Sequence, residues 1–216
     1  RLDASNVLNK NIASIISPIG MDHKDFLKEG TIDEIIFEKC SKLLNGSKII
    51  VSKQTSLETL NKIDKVIRSN SSKKIIFGKN FEYKKTPNGF DFIDNSGSLS
   101  LPAPNLLGNH QYENVSTAIA TVKELDQFKI NKSDIITDIT KIKTEGRLQK
   151  ISDGKLKSYI SNNNEIILDG GHNTLAASVL TKYLDTLDKN KKIYMILGMM
   201  ANKDHAEFIS QFKEKL

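Results

Sequence analysis

The fold is decided by residues 48–78, which read KIIVSKQTSLETLNKIDKVIRSNSSKKIIFG. The short apolar runs Lys48–Ser52 and Lys74–Gly78 have the length and the β-branched content of buried strands. Between them, residues 55–58 (TSLE) have the spacing of a capping box, which predicts a helix that reaches about Arg68. A strand, a helix and a second strand in this order are typical of a parallel sheet covered by helices.

The same alternation extends toward the start of the chain. Residues 11–19 form an isoleucine-rich apolar run, which predicts another buried strand. Residues 31–34 (TIDE) are a second capping box and predict a helix that ends near Asn45-Gly46. The predicted order is β-α-β-α-β.

A change of pattern in the middle of the chain predicts a small antiparallel region. Residues 81–85 and 90–93 alternate between apolar and polar around Thr86-Pro-Asn-Gly89, which is typical of a hairpin. Residues 98–101 are predicted to add a strand. Helices are then predicted after Gly108 and from Asn131 to about Ile142.

The alternation of strands and helices begins again after residues 144–147, so we place a domain boundary between residues 1–143 and 144–216. The second segment is predicted to contain four strands and two helices. The third strand is expected to be buried. The strands are Leu148–Ile151, Lys155–Ile160, Glu165–Leu168 and Lys192–Leu197, and the helices follow 169–173 and 198–204.

The composition argues against several classes of protein. The 216 residues carry a net charge of +6, but arginine occurs only at positions 1, 68 and 147. Arginine is the residue that suits phosphate forks and base edges, and the lysines are scattered among acidic residues, so a nucleic-acid surface is disfavoured. Cys40 is the only cysteine, which excludes an intrachain disulfide and suits a reducing cytoplasm. No apolar run approaches the ~20 residues of a membrane-spanning helix.

Three loops that follow predicted strands carry polar residues. In parallel α/β sheets, ligands bind where the carboxyl ends of strands meet helix starts. These loops are 19–23, 167–173 and 197–204, and the four histidines 23, 110, 172 and 205 all lie in or beside turns rich in Gly, Asn and Asp. The phosphate-loop pattern G-x-x-x-x-G-K-[ST] does not occur in the 216 residues.

Four of the following five residues leave two interpretations open. His23 suits a metal or a phosphate, but also an ordinary turn, and Lys39 has the position of a solvated helix lysine. Arg147 suits a phosphate clamp or a surface ion pair. Asp169 suits a ribose hydroxyl or the N-cap of the next helix. Lys203 suits an anion or an ordinary turn.

Seven motifs in order resemble those of the folylpolyglutamate synthase / dihydrofolate synthase family of the Mur ligase superfamily. They are RLDASN (1–6), IISPIGMDH (15–23), TIDEIIFEK (31–39), LGNHQYEN (107–114), GRLQ (146–149), LDGGHN (168–173) and GMMANKD (198–204). The sequence departs from the family pattern at Glu145, where the family has proline, and at Gly171, where it has alanine.

The resemblance implies a fold and a set of site residues. The fold is α/β: a partial Mur-ligase central domain, mainly parallel sheet with flanking helices and a small β-hairpin region, followed by a partial Rossmann-like C-terminal domain. The resemblance implies that Leu2, Asp3 and Ala4 bind the pteroate, and that Asn114, Arg147 and Asp169 bind ATP. It implies that magnesium is bound by His23 and by Lys39 as a carbamate, which is a hard oxygen ligand. It also implies that His172 and Lys203 handle the incoming glutamate. Lys39, His172 and Lys203 are the catalytic candidates.

The implied activity is ATP- and Mg²⁺-dependent amide ligation of L-glutamate to dihydropteroate or to a tetrahydrofolate, through an acyl phosphate. The resemblance does not separate the two folate substrates. It predicts a cytoplasmic monomer whose partners are small molecules, with no nucleic acid and no membrane. Family members carry a P-loop before the first motif and more strands after the last, so we expect an internal fragment that is inactive alone. Two alternatives stay open: another Mur-type ligase, of peptidoglycan synthesis, and a non-catalytic basic nucleic-acid-binding domain.

Overall fold

A computed structural model of the protein describes residues 10–21, 27–41, 43–161 and 163–215. The chain divides into two compact units. The first unit comprises Arg1–Ala103 and Tyr112–Thr140, and the second comprises Pro104–Gln111 and Lys141–Leu216. The sequence-based boundary at residues 143/144 stays a prediction beside this division.

The first unit is built on a parallel sheet of three strands, as the apolar runs predict. Strands β1 (Ala13–Ile16), β2 (Lys48–Val51) and β3 (Lys73–Ile76) lie in the order β1-β2-β3, and both pairs are parallel. Helices α1 (Ile32–Cys40) and α2 (Leu57–Ile67) connect them. The buried core of this layer is aliphatic apart from one cysteine: Ile16, Ile19, Ile35, Ile36, Cys40, Ile49, Val51, Ile63, Ile67 and Ile76.

Helix α1 begins at the predicted capping box but ends earlier than predicted. The Thr31 hydroxyl accepts the Glu34 backbone N–H, and the Glu34 carboxylate accepts the Thr31 N–H. The helix ends at Cys40 instead of continuing to Asn45-Gly46. Side chains hold the backbone that follows: the Leu44 carbonyl accepts the hydroxyl of Ser47 at 3.0 Å. The extra helical turn is therefore replaced by a loop.

Helix α2 corrects the second capping assignment by one residue. Its N-cap is Ser56, whose hydroxyl accepts the Thr59 N–H at 3.1 Å. The Thr55 hydroxyl instead donates to the Ile19 carbonyl at 3.5 Å. Thr55 therefore ties the helix start to the loop after β1.

The predicted hairpin is present and is part of a three-stranded antiparallel sheet. Strands β4 (Phe81–Thr86), β5 (Gly89–Asp94) and β6 (Gly97–Pro102) lie in the order β4-β5-β6. Gly89 is required at the turn, because a Cβ there would lie 2.0 Å from the Leu101 carbonyl oxygen. Helices α3 (His110–Lys123) and α4 (Lys132–Ile139) follow in the chain.

The described part of the second unit contains a small antiparallel pair and three helices after residue 141. Strands β7 (Gln149–Ile151) and β8 (Ile166–Leu168) pair antiparallel. Helices α5 (Gly154–Ser158), α6 (Thr174–Leu184) and α7 (His205–Ser210) complete it. The buried cluster contains Ala177, Phe208 and Phe212, with Leu180, Leu184, Met195 and Met199 packed against it.

Three predictions for the second unit were wrong. Residues 155–160 were expected to be a strand, but most of them lie in α5. The chain turns at Gly154, whose φ of 83° is one that residues with a side chain rarely adopt. Residues 192–197 form no strand, and the side chains of Tyr194 and Ile196 are 85% and 101% exposed. Strand β8 is not buried, since Leu168 is 51% exposed.

Two lysines at the amino ends of strands anchor the segment that follows α3. Lys48 donates to the Glu124 carbonyl and lies 2.6 Å from Asp126 Oδ2. Lys73 lies 2.8 Å from Glu124 Oε2. The hydrogen bond from Lys48 holds the pKa of Asp126 below its ordinary value.

No helix in the described ranges is long and apolar enough to cross a membrane.

Because the pKa of Asp126 is lowered in the folded state, its ionised form stabilises the fold above about pH 4 and that contribution is lost as pH falls through the lowered pKa. We expect D126N to reduce the free energy of unfolding at pH 7 and to reduce it less at pH 3. Urea unfolding at both pH values measures this. In a K48M background, the pH dependence of the D126N effect should become smaller; if it is unchanged, Lys48 is not its main cause.

Candidate functional site

Six of the predicted site residues lie in the described ranges. Leu2, Asp3, Ala4 and His23 lie outside the described residues, so their roles stay predictions. Arg147, Asp169, His172 and Lys203 lie in the second unit, and Lys39 and Asn114 lie in the first.

Arg147 is at the tip of a loop whose neighbouring residues are both held in place. The Gly146 N–H donates to Gln149 Oε1 at 2.9 Å, and the Leu148 N–H donates to Asp169 Oδ2 at 2.7 Å. Gly146 has φ 62° and Leu148 has φ 47°. The left-handed region is unfavourable for leucine, but the Leu148 side chain is only 3% exposed, so burial keeps it there.

The loop after β8 is held against the Arg147 loop. The Gly170 N–H donates to the Gly146 carbonyl at 2.8 Å, and the Gly171 N–H donates to Asp169 Oδ1 at 2.7 Å. Both carboxylate oxygens of Asp169 therefore accept a backbone amide. A carboxylate has about four lone-pair sites, so Asp169 keeps capacity for a ligand hydroxyl.

The helix-capping interpretation of Asp169 was wrong. The N-cap of α6 is Asn173, whose side-chain oxygen accepts the Ala176 N–H at 2.9 Å. Between the two residues, His172 is exposed, and its Nδ1 lies 3.0 Å from the Gly170 carbonyl oxygen. The structure thus brings Arg147, Asp169 and His172 onto two adjoining loops.

The guanidinium of Arg147 is exposed beside a glycine. A Cβ at Gly170 would lie 3.3 Å from Arg147 Nη1 and 3.5 Å from the Gly146 carbonyl oxygen. A Cβ at Gly171 would lie 2.8 Å from both Asp169 Oδ1 and the Ala176 Cβ, so an alanine there would force a neighbour to shift. Glycines therefore keep the backbone of this loop close to both charged side chains.

Lys203 lies on a separate turn that leads into α7. Its backbone N–H donates to the Met200 carbonyl at 3.0 Å, and the next residue, Asp204, caps α7 by accepting the Glu207 N–H at 3.0 Å. The lysine side chain is partly buried.

In the first unit, Lys39 is exposed in the last turn of α1, and Asn114 is exposed near the start of α3. Among the residues that the structure describes, no group of three or more His, Cys, Asp or Glu side chains could hold a metal ion.

A charged and aromatic network surrounds the start of α3, next to Asn114. Glu113 Oε1 lies 3.1 Å from Lys53 Nζ, at the carboxyl end of β2, and accepts the Tyr83 hydroxyl at 3.4 Å. Burial, and then the charge of Glu113, raise the pKa of Tyr83 to about 12. The Tyr83 and Tyr112 rings stack at 6.2 Å, and Lys85 Nζ lies 4.6 Å from the centre of the Tyr112 ring. This network joins the hairpin sheet, the parallel sheet and α3.

Residues 152–215 match the family model described as "Dihydrofolate synthetase, C-terminal domain". The whole chain is 29% identical to a dihydrofolate synthase/folylpolyglutamate synthase of Buchnera aphidicola subsp. Acyrthosiphon pisum, and covers 48% of it. It also matches the structure of Escherichia coli FolC in complex with DHPP and ADP, at 25% identity and a TM-score of 0.82, over 100% of this chain and 48% of that one. The chain is similar to the dihydrofolate synthases and folylpolyglutamate synthases over its whole length.

The predicted resemblance and the α/β fold are therefore confirmed. A bifunctional folylpolyglutamate synthase/dihydrofolate synthase from Yersinia pestis, solved with AMPPNP and Mn ion, shares the fold at 23% identity and a TM-score of 0.81, with 100% of this chain and 48% of that chain covered. The chain spans about half the length of the relatives it matches.

Several residues that contact or lie beside the candidate residues within each unit were missed from the sequence. Gln149 lay inside the GRLQ motif, but no pattern indicated that its side chain binds the Gly146 backbone. Lys53 and Tyr83 were also missed. Lys53 directly follows a predicted strand, and that position at a strand's carboxyl end was the available signal.

Tyr83 offers a matched pair of substitutions. We expect Y83A to lower the free energy of unfolding by about 2 kcal/mol, because a partly buried aromatic side chain and its ring contacts are lost, and Y83F by only about 1 kcal/mol, the worth of one hydrogen bond. The raised pKa of Tyr83 means that the folded state favours the neutral phenol. The contribution of the neutral phenol to the free energy of unfolding is therefore complete below pH 10 and declines as pH rises toward 12. Urea unfolding of the wild type and Y83F at pH 8 and pH 10.5 measures this. A difference between the two proteins that does not shrink at pH 10.5 would contradict the assignment.

Proposed function

We propose that this chain carries nucleotide- and glutamate-handling parts of an ATP-dependent ligase that joins L-glutamate to a folate. The observation that carries the proposal is the placement of Arg147 and Asp169 on two adjoining loops. An exposed guanidinium beside a glycine suits a phosphate, and a neighbouring carboxylate with spare acceptor sites suits ribose hydroxyls. The ADP bound in the Escherichia coli relative supports a nucleotide as the ligand.

The proposed reaction is an amide ligation in two steps. A carboxylate oxygen of the folate attacks the γ-phosphorus of ATP, ADP leaves and an acyl phosphate forms. The glutamate amine attacks the acyl carbon, phosphate leaves and the amine loses a proton. In this scheme Arg147 stabilises phosphate charge and Asp169 holds the ribose. Asn114, in the first unit, keeps its assignment to ATP from the family resemblance alone.

The remaining assignments rest on the family resemblance. We assign His172 and Lys203 to the glutamate side, and Leu2, Asp3 and Ala4 to the pteroate. The acceptor is dihydropteroate, a tetrahydrofolate or both. The DHPP bound in the Escherichia coli relative supports a pteroate acceptor.

Magnesium fits the described residues in part. An exposed Lys39 on α1 has the access that carbamylation needs, and a carbamate would offer oxygen ligands. We assign it, with His23, as a magnesium ligand. Bound magnesium would neutralise charge on the phosphates.

We also propose that the protein is a cytoplasmic monomer with small-molecule partners. Its single cysteine, Cys40, supports a reducing compartment. Burial raises the pKa of the Cys40 thiol to about 11, so it stays protonated at neutral pH and takes no part in the chemistry.

Arginine 147 has a matched control in Arg68, an exposed arginine that caps α2 and pairs with Asp64. We expect R147A to weaken ADP binding by about tenfold or more, since a charge-assisted hydrogen bond is worth about 1.5–3 kcal/mol, and R68A to leave it unchanged. Isothermal titration calorimetry with ADP measures both. Equal affinities for R147A and the wild type would remove Arg147 from the nucleotide site.

The 216 residues contain no phosphate-loop sequence, so we expect nucleotide binding without turnover from this chain alone. ATP- and glutamate-dependent phosphate release, with dihydropteroate or tetrahydrofolate as acceptor, measures turnover. Release above the no-folate blank would contradict this expectation. The protein expressed from its native gene should release phosphate with one or both folates; release with a muramyl peptide instead would assign it to peptidoglycan synthesis.

A further inference from the structure

We propose that Asp169, together with Gln149, is a positioning residue for Arg147. In this proposal the Asp169 carboxylate sets the geometry of phosphate recognition, in addition to any contact with a ribose. The proposal rests on the proposed function, because it takes Arg147 as the residue that binds phosphate.

The first step of the argument is the peptide unit that Asp169 holds. The Leu148 N–H that donates to Asp169 Oδ2 belongs to the same planar peptide as the carbonyl of Arg147. Fixing that plane restricts the rotation of the Arg147 backbone on its carboxyl side. The bond spans 21 residues of sequence, so it also fixes the loop relative to the end of β8.

The second step concerns the other side of Arg147. The preceding residue, Gly146, donates its N–H to Gln149 Oε1 at 2.9 Å and accepts the Gly170 N–H at 2.8 Å. Both neighbours of Arg147 are thus held, and both have a positive φ. The left-handed conformation of Leu148 costs free energy, so it needs the hydrogen bond and the burial that hold it.

The third step is that asparagine cannot replace Asp169 in this role. A carboxamide has one acceptor oxygen, which can serve the Gly171 N–H or the Leu148 N–H but not both. The other position becomes an NH₂ group that faces a backbone donor. D169N also removes a negative charge near Arg147, which by itself would strengthen the binding of a polyanion. A loss of polyanion affinity in D169N therefore has to come from geometry.

Inorganic tripolyphosphate separates the two roles of Asp169, because it has phosphates and no ribose. Calorimetry on the 216-residue chain compares the wild type with D169N, R147A and the double variant. The matched control is D188N, since Asp188 also accepts a loop amide, that of Asn190 at 3.0 Å, beyond the far end of α6.

We expect D169N to lower the tripolyphosphate affinity about tenfold and D188N not to lower it. In the R147A background, D169N should cause no further loss. If D169N folds poorly by circular dichroism, Q149L takes its place, with a smaller loss expected. Tripolyphosphate affinity in the folded variant equal to or above that of the wild type overturns the proposal and leaves the proposed function standing.

A spectroscopic measurement tests the same contact without a ligand. In ¹H–¹⁵N spectra, D169N should shift the Arg147 Nε–H signal and speed exchange of the Leu148 amide proton, and D188N should change neither. Unchanged Leu148 exchange in D169N overturns the proposal. A wild-type chain that does not bind tripolyphosphate overturns instead the phosphate role of Arg147 on which the proposal rests, so the two failures are distinguishable.

Discussion

The hydrogen bond from the Leu148 backbone amide to the Asp169 carboxylate is the constraint on which the candidate site of the second unit depends. The unit buries few large side chains, and its sheet has only two strands among the described residues. Packing alone therefore does little to fix the loops that carry the site. Hydrogen bonds from backbone amides to the side chains of Asp169 and Gln149 instead hold the residues on either side of Arg147.

The first unit uses the same device at the carboxyl ends of its strands. Gln54 accepts the Ile19 N–H and donates to the Ser52 carbonyl, both at 3.0 Å, and so joins the loops after β1 and β2. Glu34 accepts backbone amides of Lys28, Glu29 and Thr31. Desolvation raises the pKa of Glu34, but these hydrogen bonds outweigh it and hold the pKa below its ordinary value. In both units, side chains that accept backbone amides hold loops that lie beside the strands.

Local signals predicted the elements that local forces form. The capping box at Thr31 and the three isoleucine-rich strands were found because a cap and an apolar run act over a few residues. The strand predicted at residues 192–197 failed because a strand also needs a neighbour, and the described residues provide none there. The site followed the same rule. Motif resemblance selected Arg147 and Asp169, but the bond between their loops joins residues 21 positions apart and has no pattern in the sequence.

The choice of arginine at position 147 argues for geometric recognition rather than simple charge attraction. Of 32 basic residues, all but three are lysines, so lysine is the ordinary means by which this chain places a positive charge. A lysine would attract a phosphate as a point charge from many orientations, whereas a guanidinium binds oxygens through a planar fork. That fork is useful only if the backbone beneath it is fixed. The unusual left-handed Leu148 and the two amides held by Asp169 fix it, so the residue type and the loop conformation are explained by the same requirement.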